Sequence, residues 1–123
     1  MPDYYRASPS EAFLRALCLY LADRGESLLS LTGITGQKRV RIHLRGLWRR
    51  HEAEETGYPR LADTIESMTD RDLQELRSIG VEEIEGDEII VDVERLVDSL
   101  DKLSSYCGRS LKHLATLYRR RRG

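Results

Sequence analysis

Residues 28–50 read LLSLTGITGQKRVRIHLRGLWRR, and the conformation of this stretch decides what the rest of the chain must do. Six Lys/Arg fall between Lys38 and Arg50 with no Asp or Glu among them. At the helical period Val40, Leu44 and Leu47 share one side, while Lys38, Arg41, Arg45 and Arg49 share the other. The spacing predicts a helix over residues 37–55, stopped by Thr56-Gly57-Tyr58-Pro59. A buried stripe backed by a cationic one suits a helix that packs on a core and faces polyphosphate. Trp48, at the border of the apolar side, is assigned to the core rather than to base stacking. Ile42 falls within the basic side and is harder to place. There it would touch a thymine methyl or a partner chain, or stand as a lone exposed apolar residue of the common kind.

Upstream, Ser8-Pro9-Ser10-Glu11 supplies a capping hydroxyl, a first-turn proline and a carboxylate three residues on, a capping box after a loose lead-in at 1–7. Phe13, Leu14, Leu17, Cys18 and Leu21 then repeat at helical spacing, giving a helix over 11–24 closed by Gly25. Leu28 to Leu31 makes a short second helix, and Thr32-Gly33-Ile34-Thr35-Gly36 a turn. Downstream, 61–68 is a short helix, and Thr69 caps another whose apolar face is Leu73, Leu76 and Ile79, ended by Gly80. Two β-prone runs, Val81-Ile84 and Ile89-Val91-Val93, flank Glu85-Gly86-Asp87-Glu88 and read as a hairpin. From Val93 the helical period returns through Leu96, Leu100, Leu103, Cys107, Leu111, Leu114 and Tyr118, the seam of a long core helix or coiled coil that Gly108 bends or divides. Arg119, Arg120, Arg121 and Arg122 close it as a mobile tail.

At 123 residues the chain is long enough for one domain with a real core. Seventeen arginines against three lysines favour bidentate phosphate contacts, unless base composition or a hot habitat explains them. A formal net charge of −1 hides segregation. Residues 1–60 carry ten basic and seven acidic side chains, 61–101 three and fourteen, and 102–123 seven and none. Overall charge therefore does not exclude nucleic acid, and the acidic middle is suited to a basic protein partner or to local restraint. Cys18 and Cys107 lie on apolar positions and are read as buried free thiols in a reducing compartment, with a disulfide as the alternative for a hyperthermophile source. No signal peptide or membrane-length apolar run is visible, which sets a cytoplasmic, membrane-free expectation.

A helix at 11–24, a short helix, the Thr32-Gly33-Ile34-Thr35 turn and a basic helix together resemble the helix-turn-helix of winged-helix DNA-binding domains. The resemblance covers residues 11–50. It implies that Leu28-Leu29 packs the second helix and that Val40, Leu44 and Leu47 face inward from the recognition helix. Gln37, Lys38 and Arg41 would then meet base edges, with Arg39 beside them. Arg45, Arg49 and Arg50 would contact phosphate. The later hairpin, carrying Glu82, Glu83, Glu85, Asp87 and Glu88, would be repelled by phosphate if it were the wing.

The fold class expected is mainly α with one β-hairpin, winged-helix-like, as a single domain over 1–123. Its parts are a helix-turn-helix-like segment at 8–56, an acidic helix and hairpin at 59–93, and a long C-terminal helix with basic tail at 93–123. The function expected is that of a small duplex-DNA-binding protein, a transcriptional regulator, reading DNA with helix 37–50. Arg119 to Arg122 would form a phosphate-binding tail or a solubilising terminus. A homodimer would pair through Leu96, Leu100, Leu103, Leu111 and Leu114. The alternatives are a non-catalytic subunit of a nucleoprotein or replication assembly, gripping RNA or single-stranded DNA by its backbone, and a protein-interaction module. His43, His51 and His113 have no metal-ligand spacing, and no phosphate loop or nucleophile motif occurs, so no enzyme activity, metal or cofactor is expected.

Overall fold

A computed structural model describes residues 6–122; residues 1–5 of the lead-in expected at 1–7 lie outside the described residues, while Ala7 is not loose but buried, its N–H donating to the Thr56 carbonyl at 2.9 Å. The chain is mainly helical with a small three-stranded antiparallel sheet. Helix α1 spans Pro9–Thr35, β1 Arg39–His43, α2 Leu44–Trp48, α3 Ala53–Thr56, α4 Leu61–Glu66 and α5 Asp70–Ile79. Strands β2 (Val81–Glu85) and β3 (Glu88–Asp92) follow, then α6 (Val93–Asp98), α7 (Leu100–Ser104) and α8 (Lys112–Arg122).

The first correction is the length of α1. Its N-terminus is the expected capping box: the Glu11 N–H donates to Ser8 Oγ at 3.2 Å, and Glu11 Oε1 accepts from the Ser8 N–H at 3.1 Å. The helix then runs through Gly25 and through the supposed turn at Thr32-Gly33-Ile34-Thr35, closing only at Gly36, with φ of 72°. Those inner glycines are packing devices. A Cβ on Gly25 would lie 2.6 Å from Leu114 Cδ1, and one on Gly33 would lie 2.7 Å from Arg121 Cβ. Bare backbone at both positions lets α8 lie close along the second half of α1. Tertiary contact with α8 thus overrides the local tendency of glycine to end a helix.

The second correction is residues 37–55, which do not form one helix. Arg39-Val40-Arg41-Ile42-His43 is a strand, with Ile42 buried and its neighbours facing solvent. It pairs antiparallel with β3, Arg39 opposite Asp92 and His43 opposite Glu88. The order β1-β3-β2 places β3 at the centre, with a register irregularity between Val81 and Glu83. The hairpin turn falls at Gly86-Asp87 as expected. His43 then caps α2, its Nδ1 accepting from the Arg45 N–H at 3.0 Å. Trp48, assigned to the core from its spacing, is 49% exposed.

Gly80 ends α5 with φ of 119°, and a Cβ there would meet Leu96 N at 2.8 Å. This close approach seats α5 against the start of α6. The long C-terminal helix is instead three pieces, separated at Ser99 and by a segment containing Gly108 (φ 69°). Leu96, Leu100, Leu103, Leu111 and Leu114 are all buried within the chain's own core, so they offer no seam for a second copy. The arginine run is the end of α8 rather than a mobile tail, through Arg122. Cys18 and Cys107 are joined by a disulfide, with Cα atoms 5.9 Å apart, rather than being free thiols. The bond ties the middle of α1 to the segment leading into α8.

Candidate nucleic-acid interface

Strand geometry changes what the basic stretch can reach. Alternation sends Arg39 and Arg41 to the solvent face of the sheet, where the hairpin's carboxylates lie. Arg39 Nε donates to Glu82 Oε1 at 2.6 Å, reaching across β3. Arg41 Nη1 approaches Glu88 Oε1 at 3.3 Å and Glu85 Oε1 at 3.5 Å. These hydrogen bonds, reinforced by charge, hold both guanidiniums above the ordinary arginine range. Two of the expected DNA-contacting cations are therefore engaged, and so are three of the hairpin's acids. His43 Nε2 faces Asp87 Oδ2 at 3.3 Å, which leaves Glu83 exposed with no ion-pair partner among the described residues.

The remaining expected residues scatter. Gln37 and Lys38 are exposed in the link from α1 to β1, and the Lys38 carbonyl accepts from the Val93 N–H at 3.0 Å. Arg45 on α2 and Arg49 at its C-terminal cap are exposed, with no ion pair among the described residues. Arg50 Nε donates to Asp23 Oδ2 at 3.0 Å and its Nη1 to the Gly46 carbonyl at 2.7 Å, so it is part of the scaffold. Arg119 meets Asp98 at 3.2 Å and Arg122 meets Glu94 at 3.4 Å. Arg120 and Arg121 are exposed, with no ion pair among the described residues.

A different helix pair has the layout that a groove reader needs. Helix α4 ends at Glu66, and Ser67-Met68-Thr69 turns the chain into α5. Thr69 Oγ1 accepts from the Asp72 N–H at 3.4 Å, while Asp72 Oδ2 accepts from the Thr69 N–H at 2.9 Å, a second capping box. Asp72 Oδ1 also accepts from the Ser10 N–H at 3.1 Å, pinning the start of α5 to the start of α1. Burial alone would raise the Asp72 pKa, but the hydrogen bonds from Thr69 and Ser10 outweigh it and hold the carboxyl below the ordinary aspartate range. Leu76 and Ile79 bury the inner face of α5. Asp70, Arg71, Gln74, Arg77 and Ser78 are left outward. At the far side Tyr106 Oη donates to Glu75 Oε1 at 2.9 Å, bracing α5 against the segment that carries Cys107. The hairpin β2–β3 follows α5 directly.

No family model, curated protein or solved structure matches this chain.

Among the described residues no helix is long and apolar enough to cross a membrane, and no group of three or more His, Cys, Asp or Glu is placed to hold a metal ion. Arg71 and Gln74, both outward on α5, carried no expectation from the sequence. Their signal was present: a short helix at 61–68, the Thr69–Asp72 capping box, Gly80 and an immediate hairpin. The cations that lie close along residues 38–50 are spread over a link, a strand and a short helix, so density along the chain does not make them one surface.

Proposed function

We propose that the chain is a small DNA-binding protein, a transcriptional regulator of winged-helix type, that reads duplex DNA with α5 rather than with residues 37–50. The supporting observation is the succession α4, three-residue turn, α5, hairpin, with the hairpin laid on β1 in the order β1-β3-β2. In this reading α5 enters the major groove. Arg71 and Gln74, outward near its start, reach base edges, since Arg suits guanine and Gln suits adenine. Hairpin β2–β3 is the wing. Its expected repulsion from phosphate is reduced because Glu82, Glu85 and Glu88 already face Arg39 and Arg41. Lys38, Arg45 and Arg49 become flanking phosphate contacts. The homodimer needed to read two half-sites stays part of the proposal, on a surface other than the five buried leucines.

The test is selection of preferred duplexes from a random pool, followed by binding of Arg71→Ala and Gln74→Ala. Each substitution should weaken the selected site by about 1–3 kcal/mol and relax preference at one position. Sedimentation of the complex should show two copies per site. Unchanged affinity and selectivity in both variants would remove α5 from the reading.

One observation favours a second reading, a protein-interaction module. Glu66, Asp70 and Glu83 are exposed without an ion-pair partner among the described residues, on or beside the α4–α5–hairpin unit. Such a unit would take a basic protein, and its binding would be lost on neutralising those acids while duplex affinity stayed negligible.

A further inference from the structure

A second cluster of cations, outside α4 and α5, lies in the groove between α1 and α2, bordered at one end by His43 of β1. The concavity measures about 430 Å³ and is lined by Tyr20, Asp23 and Arg24 from α1 and by His43, Gly46, Arg49 and Arg50 around α2. Gly46 makes the groove possible. A Cβ there would meet Tyr20 Cε1 at 2.7 Å, so only bare backbone lets the tyrosine ring lie against α2. Arg50 sits over that ring, its guanidinium carbon 5.3 Å from the centroid. Bonded to Asp23 and to the Gly46 carbonyl, with a side chain only 18% exposed, it is fixed before any ligand arrives and keeps further N–H groups free.

Asp23 is the one carboxylate in this lining, and Arg50 engages it. Arg24 and Arg49 line the same groove with no ion pair among the described residues. Three guanidiniums around one concavity with one carboxylate leave positive charge that an oxyanion would balance. A planar fork fixed in position, as that of Arg50 is, suits a tetrahedral phosphoryl group in particular, with Arg24 and Arg49 on exposed side chains able to close on it. At one end the His43 ring contributes a wall: Nδ1 accepts from the Arg45 N–H, which leaves the ring proton on Nε2, towards Asp87.

The geometry points to a phosphate-binding groove at α1–α2, in which Arg24, Arg49 and Arg50 hold a phosphoryl group, either free or within a nucleic-acid backbone. It extends the expectation for Arg49 and Arg50 to a built site with Arg24 and Tyr20. It does not rest on α5, since none of these side chains belongs to the α4–α5 pair or the hairpin.

The full chain, followed by amide chemical shifts, is titrated separately with inorganic pyrophosphate and with a short duplex, each at constant ionic strength. Saturable shifts at Tyr20, Gly46 and Arg49 are expected with at least one probe. Arg24→Ala and Arg49→Ala should each weaken them by about tenfold, and Arg109→Ala, on the loop before α8, should leave them intact. Both lining arginines are exposed, so melting temperatures should stay at the wild-type value. A response to pyrophosphate alone assigns a free phosphorylated ligand, a response to duplex alone assigns the nucleic-acid backbone, and both support the groove. No saturable shift with either probe, or an equal loss in Arg109→Ala, overturns it. Failure of the α5 reading would show separately, as Arg71→Ala leaving duplex selectivity unchanged.

Discussion

Gly33 lies under α8 with no room for a side chain. The atoms a Cβ would meet, Arg121 Cβ at 2.7 Å and Tyr118 O at 3.1 Å, belong to the α8 backbone or sit directly on it. Relief therefore requires α8 itself to shift. Alanine would gain about 1 kcal/mol of helix propensity but meet an overpacking cost of about 1–3 kcal/mol. Gly33→Ala should come out destabilising by about 1 kcal/mol in urea unfolding. Gly25→Ala should be nearer neutral, because it meets the flexible end of Leu114. If Gly33→Ala proved as stable as the wild type, α8 would not lie this close. Tyr106 offers a second residue-scale test. Burial, then its hydrogen bond to Glu75, pushes its phenol up to about 12. An unfolded tyrosine titrates near 10, so the stabilisation is complete below about pH 10 and lost as pH rises towards about 12. Unfolding midpoints measured across that window should fall for the wild type and fall less for Tyr106→Phe.

At the scale of elements, the disulfide joins α1 to the segment before α8 across a sequence separation of 89. In the chain-entropy account, closing a loop of that length stabilises by about 4.5 kcal/mol. A double Cys18→Ser, Cys107→Ser variant, or the wild type in a strong dithiol, should melt well below the oxidised protein. A melting temperature indifferent to reductant would show that the bond does not form. The elements also show what the chain made legible. Both capping boxes, the stop at Gly80 and the Gly86-Asp87 hairpin were readable, because each depends on residues within a few positions of one another. Strand β1 was readable in principle: Arg39-Val40-Arg41-Ile42-His43 alternates, and Ile42, misplaced on any helix there, is the buried residue that sets the strand's register. Helical spacing of Val40, Leu44 and Leu47 hid it, since a strand running into a helix can satisfy the same three positions. The C-terminal period persisted for a related reason. Three separate helices bury their leucines in one core, and spacing alone does not reveal the breaks. The continuity of α1 through Gly25 and Gly33 depends on α8, about ninety residues away, and had no local signal.

Across the whole molecule, charge that is segregated in sequence is brought together in space. The basic strand lies against the acidic hairpin, so the candidate DNA face carries fewer free charges of either sign than the sequence suggests. That pairing yields a measurement able to separate the DNA-binding reading from its rival. Glu83→Gln removes an exposed acid that has no ion-pair partner among the described residues. If the hairpin approaches phosphate, duplex affinity should rise a few-fold, with the salt dependence nearly unchanged because no new cation is released to the backbone. Glu82→Gln also removes an acid, but it frees Arg39 as well. It should tighten binding and steepen the slope of log affinity against log salt by about 0.9, the signature of one added phosphate contact. A basic protein partner would respond in the opposite sense, weakening with each lost carboxylate. Duplex affinities across salt that coincide for the wild type and both variants would place the hairpin away from DNA. The acidic face would then be left to a protein.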